Sequence, residues 1–218
     1  MADFVDELDG LRLQVEVMAL LVEEALAKAV ELVKTGDPDI AASLVAGDDE
    51  IDAIGVSLTE RCYDLLMQQS LMATNLRLVV SVIRVLASLE RIGDLCLRIA
   101  KRGDDVALLQ GHPEVYAVID EFGATATERF GVVTRAWSSG KLTDLDEARA
   151  DRDADDYGQL LMSRLLELEG ADAVRVAIAA FVIGRSFDRI GDHTNVMASR
   201  LRYLVTGDPS YLAEEVAE

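Results

Sequence analysis

Apolar residues recur every three or four positions along most of the chain. One stripe runs through the first 35 residues and another begins near residue 51 (Leu8, Leu11, Val15, Met18 and Val22; Ile51, Ile54, Leu58, Cys62 and Leu65). This spacing puts the apolar side chains on one face of an α-helix, whereas the alternation typical of a half-buried strand is missing. The pattern predicts an all-α protein.

Short turns rich in glycine, aspartate and proline divide the pattern. In "TGDPD" at residues 35–39, Gly36 suits the end of a helix, while Asp37 and Pro38 suit the start of the next one. "TGDPS" at 206–210 repeats this chemistry, and "SSGKLTD" occupies a similar turn at 138–144. We therefore predict six long helices, near residues 3–35, 38–70, 74–102, 113–138, 142–168 and 171–205.

The second half of the chain repeats the first. Residues 77–100 align with residues 175–198 at a constant offset of 98, with seven identities in 24 positions, including the shared run "RIGD". Upstream of this segment the offset is nearer 103. A duplicated three-helix unit explains the repeat, so we predict two tandem, pseudo-symmetric three-helix bundles. The predicted parts are a first repeat at 1–104, a linker at 105–112, a second repeat at 113–207 and a tail at 208–218.

The net charge of the chain limits the kinds of partner that it can bind. With 21 basic and 40 acidic residues, the net charge is −19, which opposes binding to nucleic acid or to anionic lipid. The apolar stretches are too short to span a bilayer, and the acidic N-terminus does not resemble a secretory signal. We expect a cytoplasmic protein that does not insert into a membrane and that reaches the inner face of the membrane only through partners. Cys62 and Cys96 are expected to be reduced residues of the core.

Each repeat carries two acids four residues apart on its third predicted helix. Side chains at this spacing lie on one face of a helix. If the second and third helices form an antiparallel hairpin, the acids of the second helix lie level with these pairs, because each set is about 20 residues from the turn. The candidate site residues are Asp49, Asp52, Glu90 and Asp94 in the first repeat, and Asp151, Asp155, Asp188 and Asp192 in the second.

These acids have two interpretations. Oxygen donors at one level suit Mg²⁺, Mn²⁺ or iron better than zinc. Alternatively, Arg91 and Arg189, which directly follow the first acid of each pair, could make the cluster a salt-bridged or partner-facing surface. Gly93 and Gly191 each cost about 1 kcal/mol relative to alanine in a helix, which suggests that a neighbouring helix or a metal-bearing cluster approaches there.

No catalytic signature is present. The segment "SGKL" at residue 139 lacks the glycines of a phosphate loop, and the chain contains no nucleophile elbow or dinucleotide-binding glycine pattern. His193 follows Asp192 but points about 100° away from it on a helix. Trp137 and Phe181 are expected to be packing anchors. The sequence therefore predicts a protein that is not an enzyme.

The duplicated order of these segments resembles the PhoU family of phosphate-signalling regulators. The resemblance covers essentially the whole chain and rests on "DEID" at 49–52, on residues 73–102, on "DADDYGQLL" at 153–161 and on residues 174–208. The two "RIGD" runs fall where this family has its repeated motif. The segments "MATNLR" and "GADAVR" depart from the start that the family often has at these helices, which leaves the identity of the transporter and kinase open.

The resemblance implies a cytoplasmic adaptor. PhoU proteins keep the phosphate-starvation response off, modulate the phosphate ABC transporter and couple it to a sensor histidine kinase, and they often form homodimers. Some bind iron or other metals through motifs that fall on Glu90, Asp94, Asp188 and Asp192 in this sequence. The resemblance therefore implies iron or another divalent metal, such as manganese, magnesium or zinc, at these residues. The alternative is a metal-binding or metal-buffering helical protein, or a regulator of a different transporter. Direct sensing of phosphate is not expected.

Overall fold

The computed structural model describes residues 2–68, 73–143, 145 and 154–214. The helices are α1 (Ala2–Thr35), α2 (Pro38–Gln68), α3 (Ala73–Ala100), α4 (Val106–Gln110), α5 (Pro113–Ser139), α6 (Ala154–Leu166), α7 (Ala173–Thr206) and α8 (Ser210–Glu214), with a 3-10 turn at Gly103–Asp105. No strand occurs in these ranges, so the all-α prediction is confirmed.

The six predicted long helices are present as α1, α2, α3, α5, α6 and α7. The start predicted for the fifth helix falls largely on residues outside the described ranges. Two short helices were not predicted: α4 lies in the predicted linker and α8 in the predicted tail. The linker forms a helical turn because Val106 and Leu109, three residues apart, are both buried. The boundaries of the two repeats stay a prediction.

The turn between α1 and α2 has the predicted chemistry. Gly36 takes a left-handed conformation with φ 66°, and its N–H donates to the carbonyl of Leu32 at 2.7 Å. The Asp37 carboxylate accepts a hydrogen bond from the N–H of Asp39 at 2.9 Å, which caps the helix that begins at Pro38. These local interactions fix the reversal of the chain.

The helices pack as two bundles of three. Helices α1, α2 and α3 contact one another, and so do α5, α6 and α7, while α3 and α7 form the most extensive contact between the repeats. These two helices are antiparallel: Arg77, near the start of α3, lies against Gly207 after the end of α7. At the other end, Arg175 near the start of α7 binds Asp105 after the end of α3. The duplicated units are therefore related by a pseudo-two-fold axis between α3 and α7.

Aromatic side chains fill the core of the second bundle. Phe122 stacks on Tyr157 with ring centroids 5.2 Å apart and contacts Phe187 at 6.1 Å. Trp137 is buried as predicted, but Phe181 is 48% exposed, so the prediction that it anchors the core is wrong. The core-facing positions of α7 around it are Ala179, Ala180 and Ile183, and Phe181 lies on the opposite face.

The two cysteines are structural. Both Cys62 and Cys96 are free and buried, which confirms the sequence-based interpretation. Burial raises the pKa of the Cys96 thiol to about 12, so it stays protonated and unreactive at neutral pH.

Candidate functional site

The first acidic cluster lies where α2 crosses α3. Ile51 packs on Gly93, with its Cγ2 atom 3.6 Å from the position that a Cβ atom would take there, and the Asp48 carboxylate lies 3.9 Å from the same point. One turn further along, the Glu90 carboxylate rests directly on Gly55. This register brings the acids of α2 level with Glu90 and Asp94.

The acids of this cluster act on one another electrostatically. Partial burial, followed by the charges of Asp52, Asp94 and Asp49, raises the pKa of the Asp48 carboxyl above its usual range. Burial and the charge of Asp52 likewise raise the pKa of Glu90, with Arg91 opposing the shift. The cluster is therefore a concentration of negative charge that is only partly neutralised.

Asp48 is a member of the cluster that the sequence reasoning missed. Its side chain faces α3 because it lies four residues after Leu44 and three before Ile51, which are both buried. Asp49, which the sequence reasoning chose instead, is exposed, and so is Asp52. The helical spacing from Leu44 and Ile51 was the signal that could have identified Asp48. Beside it, a groove of about 110 Å³ opens between α1, α2 and α3.

The second cluster is more fully paired with arginine. The Arg185 guanidinium contacts Asp188, and Arg189 binds Asp192 at 2.8 Å. Burial, followed by the charge of Asp188, raises the pKa of Asp192, whereas Arg189 and Arg185 lower it. Of the other predicted members, Asp151 lies outside the described residues, and Asp155 is in α6 with its side chain not described.

One residue explains the difference between the two clusters. Ala87 occupies the position in α3 that Arg185 occupies in α7. Glu90 therefore lacks the arginine three residues earlier that Asp188 has. The other ion pair of the second cluster, between Arg189 and Asp192, has a counterpart in the first repeat, where Arg91 binds Asp94 at 3.0 Å. The salt-bridged interpretation of the acids thus describes the second repeat better than the first.

His193 lies close to the axis between the repeats. Burial, followed by the charges of Arg189 and Arg91, lowers its pKa, so the ring is neutral at pH 7. Arg91 belongs to the first "RIGD" run and Arg189 to the second. The two repeated segments therefore come together at the contact between α3 and α7.

The described acids do not form a ready-made metal cage. Within the described ranges, no three aspartate, glutamate, histidine or cysteine side chains are grouped so that they could hold a metal ion. The same ranges contain no helix that is both long enough and apolar enough to cross a membrane. The metal site predicted from the sequence stays a prediction.

The sequence is similar to known proteins over most of its length. A family model described as the PhoU domain matches residues 15–103. The phosphate-specific transport system accessory protein PhoU of Serratia marcescens is 27% identical over 210 residues, covering 94% of this chain and 85% of that protein. The protein of the same name from Escherichia coli K-12 is also 27% identical, with 94% and 86% covered.

A solved structure extends the match to both repeats. The crystal structure of PhoU from Pseudomonas aeruginosa matches this fold with a TM-score of 0.87 at 26% identity, covering 94% of this chain and 100% of that one. This chain is therefore similar to PhoU proteins in sequence and in fold over nearly its whole length. The two "RIGD" runs lie at equivalent places in its two bundles.

The packing of α2 on α3 does not require a glycine at position 93. Helix α2 approaches Gly93 as expected, but a Cβ atom there would meet Ile51 at 3.6 Å, which is ordinary van der Waals contact, so a methyl group also fits. We expect Gly93→Ala to raise the free energy of unfolding by up to about 1 kcal/mol, because alanine favours the helix. Urea denaturation measures this change.

Gly47→Ala is the matched control, since that glycine lies in α2 with open space at its Cβ position. The two variants are expected to gain stability alike. A loss of stability in Gly93→Ala alone would contradict the expectation.

The raised pKa of Asp48 predicts that the stability of the fold depends on pH. The folded state holds this proton more tightly than the unfolded state, so ionisation destabilises the fold as the pH rises from 3.8, its usual pKa, through the raised value. We expect Asp48→Asn to raise the thermal midpoint at pH 7, with a difference that shrinks as the pH falls below 4. Asp64→Asn, at an exposed acid of α2, is the control. A difference that is constant with pH would contradict this.

Proposed function

We propose that this chain is a regulator of phosphate transport that acts by protein contact and catalyses no reaction. The observation that carries the proposal is the match of both repeats to PhoU of Pseudomonas aeruginosa, at a TM-score of 0.87 over 94% of this chain. Relatives from Serratia marcescens and Escherichia coli are named accessory proteins of the phosphate-specific transport system. In this proposal the chain keeps the phosphate-starvation response off at the cytoplasmic face of the membrane.

The first acidic cluster supplies a surface for such contacts. Asp49, Asp52 and Asp94 are exposed, and they project from helices that pack into one bundle. Charges held on rigid helices can steer a basic partner and fix its orientation, because the side chains need little reorganisation on binding. The cluster therefore suits recognition of a partner surface that carries arginine or lysine.

A reporter experiment tests this function. Deleting the gene is expected to switch on a phosphate-starvation promoter in cells grown in high phosphate, and the wild-type gene is expected to restore repression. A triple Asp49→Ala, Asp52→Ala, Asp94→Ala variant should restore it poorly, while Asp64→Ala, at an exposed acid of α2, should restore it fully. An unchanged reporter in the deletion strain would rule the proposal out.

We propose further that the signal passes through a sensor histidine kinase. If so, deleting the gene has no effect on the reporter in a strain that also lacks the kinase. Persistent derepression in the double deletion would show a route that avoids the kinase. We also propose a homodimer, which light scattering of the purified chain tests by its mass.

Metal binding or buffering is a second candidate function, together with regulation of a different transporter. The observation that favours metal binding is the mutual repulsion of Asp48, Asp52 and Asp94, which a divalent cation would relieve. Elemental analysis of the purified chain is expected to find iron or manganese, and Asp94→Ala with Asp192→Ala is expected to lose it. If the purified protein contains no metal and its thermal midpoint does not change when Mn²⁺ is added, this candidate function is contradicted.

A further inference from the structure

The linker between the repeats fills a groove at one end of the molecule. Its short helix α4 contacts α1, α5 and α7. Val106 of this helix packs on Gly36, which follows α1, with its Cβ atom 3.4 Å from the point that a Cβ atom would take there. The Gln110 amide donates a hydrogen bond to the carbonyl of Lys34 at 2.8 Å. We call this groove, with the linker in it, the first groove.

The pseudo-two-fold axis relates the first groove to a second one at the opposite end. The second groove lies between the end of α5 and the starts of α1 and α3, with an open volume of about 280 Å³. Gly140 follows α5 as Gly36 follows α1, and Ser138 takes the place of Lys34. No atom of the described residues lies within 4 Å of the Cβ position at Gly140, whereas Val106 covers Gly36. The end of α5 is therefore open where the end of α1 is covered.

The chain takes a different route beside the second groove. After α3 the chain turns at Gly103 and α4 follows at once, whereas α7 continues as a helix to Thr206. Leu204 and Val205 of this extension form part of the groove wall. Helix α8 packs on α7, and the groove lining contains none of its residues. The described part of the chain thus provides the walls of a second groove but no counterpart of α4.

The arginine that binds the linker has a counterpart at the second groove. Arg77 of α3 corresponds to Arg175 of α7 at the offset of 98. Thr74, one turn before Arg77, lines the groove, and the Arg77 guanidinium lies against Gly207, two residues after Val205 of the wall. Its Nε atom is buried without a hydrogen-bond partner, and among the described residues it has no ion pair. Arg77 therefore lacks the carboxylate that Arg175 has.

The charges of the second groove suit an acidic segment. Arg12 lines the groove, is exposed and has no ion pair with a described residue. Glu16 lines it as well, but Asp120 takes the corresponding place in α5, where it pairs with Lys34 beside the acidic linker. An acid at this place is thus compatible with binding of an acidic segment. Two arginines without acidic partners, in a chain of net charge −19, favour a carboxylate in the groove.

We propose that the second groove binds a short helical segment of a partner protein that has the chemistry of the linker. Such a segment has an acidic residue followed by apolar residues one and four positions later, as Asp105, Val106 and Leu109 are arranged. Its carboxylate binds Arg77, and its two apolar side chains pack between the end of α5 and Leu204. A groove recognises an amphipathic helix by this combination of apolar anchors and a charged hydrogen bond.

The linker itself supplies the probe. A peptide with the sequence RGDDVALLQGH, residues 102–112, is titrated into the full chain. The emission of Trp137 reports binding, because this residue lines the groove and is the single tryptophan of the chain. We expect a saturable change. Arg77→Ala in the chain and Asp105→Asn in the peptide should each weaken binding about 10-fold, since both remove the same charged hydrogen bond. Together they should weaken it no further, which indicates direct contact.

Arg98→Ala is the matched control in the chain, because Arg98 is an exposed arginine of α3 about six turns from Arg77. Asp104→Asn is the control in the peptide. Both should leave the affinity unchanged, and circular dichroism should show the chain variants folded. An emission that stays constant up to about 1 mM peptide, or binding that Arg77→Ala leaves intact, would overturn the proposal.

A further variant excludes exchange with the linker. Loss of binding in Arg175→Ala, with binding intact in Arg77→Ala, would mean that the peptide displaces the linker from the first groove, and it would also overturn the proposal. The titration contains neither a transporter nor a kinase, so its failure would leave the proposed function unaffected.

Discussion

Phe187→Ala is expected to lower the free energy of unfolding by about 3–5 kcal/mol, the usual range for removing a buried phenylalanine side chain. Phe187 is fully buried, and it joins the core of the second bundle by contacting Phe122. It also packs tightly against α5, where a Cβ atom added at Gly123 would lie 3.0 Å from its ring. Close-packed surroundings of this kind relax only partly into the cavity that is left behind. Urea denaturation followed by circular dichroism measures the loss.

Phe181→Ala is the matched control for this change. It removes the same side chain from the same helix, but Phe181 is half exposed. We expect its loss to stay below about 1 kcal/mol, because little packing is removed. Equal losses from the two variants would mean that Phe187 is not a core residue.

Asp105→Ala is expected to destabilise the fold by about 1–2 kcal/mol. The Asp105 Oδ1 atom accepts a hydrogen bond from Arg175 Nε at 2.8 Å and lies 2.7 Å from its Nη2 atom in an ion pair, and the carboxylate is almost fully buried. These bonds tie the turn after α3 to the start of α7. The loss stays moderate because the Arg175 side chain is mostly exposed and can be solvated in the variant.

The control for Asp105 is its neighbour. Asp104→Ala removes an exposed acid from the same 3-10 turn, and it should leave the unfolding midpoint unchanged. A chemical-denaturation series on the two variants separates loss of the Asp105 contacts, with Arg175 and with Arg102 at 3.6 Å, from a general effect of charge in the turn. Equal midpoints for Asp104→Ala and Asp105→Ala would contradict the role of the contact.

The helices and their ends were predictable because their causes are local. The spacing of Leu11, Val15, Met18 and Val22 marks a buried helix face, and all four are buried. Gly36, with a positive φ, ends α1 where the sequence placed the end. The short helix α4 was not predictable, because it depends on burial of Val106 and Leu109 beneath distant parts of the chain.

The sequence analysis predicted the place of the acidic cluster but missed one of its members, Asp48. Helical spacing brought Glu90 and Asp94 together and put the acids of α2 opposite them. Which acid of the run "DDEID" faces α3 depends on the rotation of α2 in the bundle, and this rotation selects Asp48 through the packing of Ile51 on Gly93. The spacing of Asp48 from Leu44 and Ile51 indicates this rotation, but the sequence analysis chose Asp49 and Asp52 without using it.

The sequence by itself determined the all-α class, the turns and the duplication, since periodicity, turn chemistry and repeats are properties of neighbouring residues. Only the tertiary structure decided that α3 and α7 pack antiparallel, that Arg175 reaches Asp105, and that Phe181 faces outward. Those features arise from contacts between residues far apart in the chain. Their energies depend on the mutual rotation and register of whole helices, which no local pattern encodes.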